Sequence, residues 1–173
     1  MGFTGVWSSI VQRIGRDDLF ERDLYALDLS GCDDLPPLDI GTRFVCLLAW
    51  DARDATADQV AAVATWLLNA GVTYVCVWGP DCERVHDVID EESAHRAAIL
   101  NKDAFVMTTW HVDEQLPEAI YYALACAVPD EAHIHDCHAT IGISIGAVDW
   151  GQQIREAFTD ARGFMQQHLT RNS

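Results

Sequence analysis

The sequence predicts an α/β fold: a three-layer sandwich with a mostly parallel four-stranded sheet, Rossmann-like or flavodoxin-like, preceded by an N-terminal helical extension. Three observations carry this. Four apolar runs, FVCLLAW (44–50), TYVCVW (73–78), AFVMTTW (104–110) and ATIGISIGA (139–147), are nearly continuous rather than alternating, as in strands buried on both faces. Segments of helical period separate them. The stretch TYVCVWGPDCERVHDVID reads as strand, tight turn, helix, the half-unit of such a sheet.

In chain order, Phe3, Val6, Trp7, Ile10, Val11 and Ile14 fall on one helical face, and Leu19, Phe20, Leu24 and Leu27 suggest a second short helix. Gly31, Pro36, Pro37 and Gly41 mark a loop into the core. Residues 1–40 are therefore expected as a helical extension packed on a core of residues 41–173. After the first strand, Thr56 and Gln59 have capping-box spacing, and Gly71 ends the helix they open. Asp81 is expected to cap a helix that kinks near 90–93 and runs to residue 100. Pro117 fits the first turn of a third helix. In the fourth strand Ile141, Ile143 and Ile145 share one face, with Gly142, Ser144 and Gly146 on the other, so something packs very close there. Residues 151–169 complete the chain as one helix. The expected strand order is 2-1-3-4.

The run WGPDCERVHD, with TTWH one strand later, resembles a bacterial domain family of unknown function. The resemblance covers roughly residues 44–150. It implies a bacterial source and a compact α/β domain, and it carries no activity.

The net charge is −16, from 27 acidic and 11 basic residues, and Lys102 is the single lysine. Nucleic acid and anionic membranes both require clustered cations, which this chain lacks. Between Lys102 and Arg155 no Lys or Arg occurs, whereas Asp103, Asp113, Glu114, Glu118, Asp130, Glu131, Asp136 and Asp149 do. A basic protein is the partner such a field would attract. The six cysteines form no CxxC pair, and a chain of 173 residues needs no disulfide framework, so a reducing cytoplasm is expected. MGFTGVWSS has neither the basic nor the long apolar region of a signal peptide, and Val6 stands where a myristoylation pattern wants Ser or Thr.

If the strands are parallel, their C-terminal ends bring Asp51, Asp81, Cys82, His86, Thr109, His111 and Glu114 toward one crevice, an acid, base and nucleophile set. Cys82 and His86 are four apart on a helix and share a face. The helix N-terminus favours a Cys82 thiolate, while Asp81 and Glu83 oppose it, and burial of Cys82 beside Val85 and Ile89 is the simpler account. Trp50, Trp78 and Trp110 end successive strands, either covering the core or walling a site for a flat ligand. His133, His135 and His138 form the tract HIHDCH, whose ligand types suit zinc although the spacing is short for one tetrahedral site. No other cofactor is expected. The chain contains no P-loop, no GxGxxG and no GxSxG.

Two functions from different classes follow. One is a non-catalytic protein-binding module of immunity or regulatory type. The other is a small hydrolase or transferase using the crevice at the strand ends.

Overall fold

The structure, a computed structural model, describes residues 10–100 and 105–171. Its elements in order are β1 (Gln12–Arg16), β2 (Asp23–Leu29), β3 (Arg43–Trp50), α1 (Ala57–Ala70), β4 (Val72–Trp78), α2 (Cys82–Leu100), β5 (Met107–His111), α3 (Leu116–Ala125), β6 (Cys137–Ile145), α4 (Val148–Thr159) and α5 (Ala161–Arg171). The α/β expectation holds, with a larger sheet than expected. Six strands run in the order β1-β2-β6-β3-β4-β5, all parallel except β1. Helices cover both faces: α1 and α2 on one, α3, α4 and α5 on the other. Among the described residues no helix is long and apolar enough to cross a membrane.

The helical extension is corrected where it is described. Residues 12–16 and 23–29 are strands, and residues 1–9 of the first expected helix lie outside the described residues. Leu24 and Leu27, three apart, mimic a helical stripe. In β2, however, Leu24, Leu27 and Leu29 bury against helices on both faces, as an interior strand requires. The turn between β1 and β2 is built on Asp17, whose carboxylate accepts the N–H groups of Leu19 and Phe20 at 2.8 and 3.2 Å.

The strand order also differs from expectation. In 2-1-3-4 the 104–110 run would be interior, but β5 is an edge strand, with Met107 and Trp110 exposed. Its polar MTTWH composition suits that place better than a centre. Interior strand β6 pairs with both β2 and β3. Its glycine face is explained by α4: a Cβ on Gly142 would run into the Ile154 side chain, and one on Gly151 into the Asp28 carboxylate.

Helix α1 opens with the expected Thr56–Gln59 capping box and closes on Gly71 at φ 94°. Helix α2 is unbroken through 90–93, where Ser93 is buried and its hydroxyl accepts the Val106 N–H at 3.4 Å. Pro117 lies in the first turn of α3 as expected. The expected last helix is two, α4 and α5, parted at Asp160, whose backbone (φ −133°, ψ 66°) is not helical.

Candidate functional site

The parallel strands deliver their C-terminal ends to one rim. From β3 the chain proceeds through α1 to β4 on one side, whereas its other neighbour, β6, continues into α4 on the opposite face. Diverging connections of this kind leave a crevice at the strand ends, where open α/β sheets bind ligands. Two cavities occupy the rim. The larger, about 460 Å³, lies over β2, β6 and β3 and is lined by Cys32, Asp33, Trp50, Asp51, Asp54 and Trp150 among others. The second, about 350 Å³, lies over β4 and β5 and is lined by Trp78, Asp81, Cys82, His111 and Glu114 among others. Trp78 and Trp150 meet edge to face with ring centroids 5.0 Å apart, forming the wall between the two.

The turns under this rim are tightly laced. Gly79 has φ 117°, and a Cβ there would strike the Trp50 carbonyl. The Ala52 N–H donates to the Pro80 carbonyl at 3.0 Å. Arg84 donates to the Asp81 carboxylate at 2.6 Å and to the Ala52 and Ala55 carbonyls at 2.6 and 3.1 Å. One guanidinium thus joins the loop after β3 to the turn after β4.

The expected residues are brought together only in part. Asp51 lines the larger cavity and is bound by Arg53 at 2.6 Å, whose hydrogen bonds hold its carboxyl below the usual range. Asp81 precedes α2 as expected. Its backbone is left-handed (φ 66°), however, and its carboxylate serves Arg84 instead of a first-turn N–H. Cys82 begins α2 and is buried, and burial pushes its thiol up despite nearby backbone amides, that of His111 first. The simpler account of Cys82 therefore holds. His86 is turned away from the rim: it packs on Trp110, ring centroids 4.5 Å apart, and contacts Asp87 at 3.0 Å.

His111 is the most structured of the set. Nδ1 lies 2.8 Å from the Glu114 carboxylate and Nε2 lies 3.1 Å from the Thr109 hydroxyl. An ionised carboxylate only accepts, so Nδ1 carries a proton, and in the neutral ring Nε2 accepts from Thr109. The ring is buried and meets Tyr122 at 4.7 Å. The tryptophans divide their roles: Trp50 is buried and covers the core, Trp78 donates to the Glu114 carbonyl at 2.9 Å, and Trp110 is exposed.

The histidine tract forms turns leading into β6. His133 is half-buried with Nδ1 3.8 Å from Asp136, while His135 and His138 are exposed. Among the described residues, no three His, Cys, Asp or Glu side chains gather to hold a metal ion. His133, His135 and His138 are thus not gathered into one site, the six-residue tract being split between turns (133–136) and the start of β6 (137–138).

Sequence reasoning missed Cys32, Asp33, Asp54 and Trp150 on the larger cavity, which come from loops it did not connect. It also missed the ion pair beneath. Asp28 accepts from the Ser144 hydroxyl at 2.8 Å and from Arg155 at 2.8 Å, and Arg155 reaches Gln12 at 2.7 Å. These partners secure a half-buried charge pair that would be costly to leave incomplete. The small-residue face of the fourth strand was the available signal.

No curated protein matches this chain. A family model described as a domain of unknown function, DUF7684, matches residues 24–161, and the chain belongs to that family.

Proposed function

We propose that this protein is a non-catalytic binding module of the reducing cytoplasm, whose acidic strand-end rim receives a basic protein. One observation carries the reading: the cations at the rim are already spent. Arg53 and Arg84 are bound to Asp51 and Asp81, while Asp33, Asp54, Glu83 and Asp113 line the two cavities as further carboxylates. The rim presents net negative charge around a tryptophan wall, which favours a cationic surface with apolar or aromatic anchors. The prior engagement of Asp51, Asp81, Cys82, His86 and His111 also supports a non-catalytic role. All six thiols are free, in keeping with a reducing compartment.

The test is capture of a partner at low and high ionic strength by the parent protein and by an Asp54→Lys/Asp113→Lys variant. Retention is expected at low salt, with release at high salt and loss in the variant. No partner at low salt overturns the reading.

One observation favours the second function, a small hydrolase or transferase: the smaller cavity does join Asp81, Cys82, His111 and Glu114. Its test is turnover of small ester or phosphate substrates that disappears in a folded His111→Ala variant.

A further inference from the structure

The two edges of the sheet are treated very differently. At one edge, β1 carries Arg13 and Arg16, both bound to Asp23 at 2.7 and 3.3 Å, and its ladder is irregular between Arg13 and Gly15. Charge and a register break are the ordinary guards against pairing with a foreign strand. At the other edge, β5 has neither. Its sequence MTTWH contains no Lys, Asp, Glu or Pro, and its ladder with β4 is regular over all five residues. Among the described residues nothing pairs with its outer side. Exposed large apolar side chains lie on it and at both its ends: Met107 is 41 % and Trp110 44 % exposed on the strand, with Phe105 at 51 % before it and Val112 at 57 % after it. Met107 lies on the α3 side of the sheet with Thr109 and His111, and Trp110 on the α2 side against His86. An added strand would therefore find apolar cover on both faces.

The surroundings select the occupant. Asp90 of α2 lies against the strand on one face, accepting from Thr108 at 3.2 Å; Asp87 contacts His86, which packs on Trp110, and Asp113 and Glu114 follow the strand's end. The cations of α2 are engaged elsewhere: Arg84 with Asp81, and Arg96 with Glu92 and Asn69. A second copy would bring the same carboxylates against these, in a chain of net charge −16. A cationic strand meets the opposite sign.

We infer that β5 is a docking edge for an extended segment of a basic protein, which adds to the sheet as a seventh strand with Lys or Arg alternating with apolar residues. Main-chain hydrogen bonds supply attachment, Phe105, Met107, Trp110 and Val112 supply apolar contact, and the acids set the sign of the partner. The partner's charge rests on the binding function proposed above; the edge meets the smaller rim cavity at its C-terminal end, where His111, Val112, Asp113 and Glu114 line both, while Phe105, Met107 and Trp110 lie outside the rim cavities.

The test uses the full chain and two pools of short synthetic peptides, Lys or Arg alternating with Val, Ile or Thr, and the same with Glu or Asp. Retention of the basic pool alone is expected. Amide hydrogen exchange across β5 should slow about tenfold at peptide concentrations ten times Kd, with α1 unaffected. Phe105→Lys/Met107→Lys, at exposed positions outside the rim cavities, should keep the melting temperature and lose the peptides. Three results overturn the inference: no basic peptide retained, peptides retained with β5 exchange unchanged, or a dimer in which β5 is protected without peptide. In the second, the peptides sit at the rim, so the binding function survives while the docking edge falls.

Discussion

Nδ1 of His111 lies 2.8 Å from Oε2 of Glu114, and the imidazole is buried whereas the carboxylate is half exposed. The loop after β5 is therefore held by a side chain it encloses. Glu114→Ala leaves Nδ1 without its acceptor and should cost about 1–3 kcal/mol, while Glu114→Gln, which keeps an acceptor, should cost less. Urea denaturation of the three proteins checks the order. Equal stability of all three would show the contact to be idle.

Gly79→Ala should be strongly destabilising. The position needs φ 117°, and the added methyl would strike the Trp50 carbonyl, a backbone atom fixed by β3. The left-handed conformation alone costs about 1–3 kcal/mol in a residue with a Cβ, before the clash is counted. Gly41→Ala, also at positive φ but with open space around it, is the control and should lose less. Thermal melts compare the two.

Stability should fall in alkali. Burial pushes the Cys76 thiol up to about 12 and the Cys46 thiol well above its usual range. Burial, then the hydrogen bond with Tyr122, raises the Tyr74 hydroxyl as well. In the unfolded chain the thiols ionise near 8.5, so above that pH the unfolded state binds fewer protons than the folded one. Stability contributed by these groups is complete below about pH 8.5 and is lost progressively toward pH 12. Denaturation free energy measured from pH 7 to 11 should decline at the alkaline end. Cys46→Ala/Cys76→Ala should show a shallower decline, whatever its stability at neutral pH.

Melting curves with and without EDTA at pH 7 should coincide, and elemental analysis should find no stoichiometric metal. His135 and His138 are exposed, and among the described residues no three His, Cys, Asp or Glu side chains gather to hold an ion. A metal removed by EDTA together with several degrees of melting temperature would reverse this expectation and make His133, His135 and His138 a binding site.

What was legible in the sequence was whatever is determined locally. The capping box at Thr56, the stop at Gly71, Pro117 in a first turn and the close packing at Gly142 and Ser144 each depend on neighbours in sequence or on strand alternation, and each is found. Gly146, expected on the same close-packed face, lies past the end of β6 with open space where a Cβ would stand. The hairpin of β1 and β2 was not legible, because spacing such as Leu24 to Leu27, three apart, fits a helix stripe as readily as a strand buried on both faces. Of the candidate site, Asp81, Cys82, His111 and Glu114 were placed together because one parallel pair, β4 and β5, delivers them. Asp33 and Trp150 were missed because the larger cavity depends on β6 lying between β2 and β3. Asp51 and His86 lie outside that smaller cavity for a third reason: near neighbours, Arg53 and Trp110, decide where those side chains go.

The pairing of β2 with β6 has a consequence for the order of synthesis. Asp28 and Ser144 are 116 positions apart, and β2 touches no strand nearer in sequence except the guarded edge β1. During translation the β1–β2 hairpin emerges early, yet its long side has no partner until residue 145 has left the ribosome. Until then an apolar strand waits unpaired, and β3 lacks its neighbour on the same side. Closure of this sheet is therefore a late, non-local event, slow on contact-order grounds and vulnerable to aggregation while it is pending. Moving the hairpin behind β6 by circular permutation would convert that wait into a local step, and the permuted chain should refold faster than the natural order.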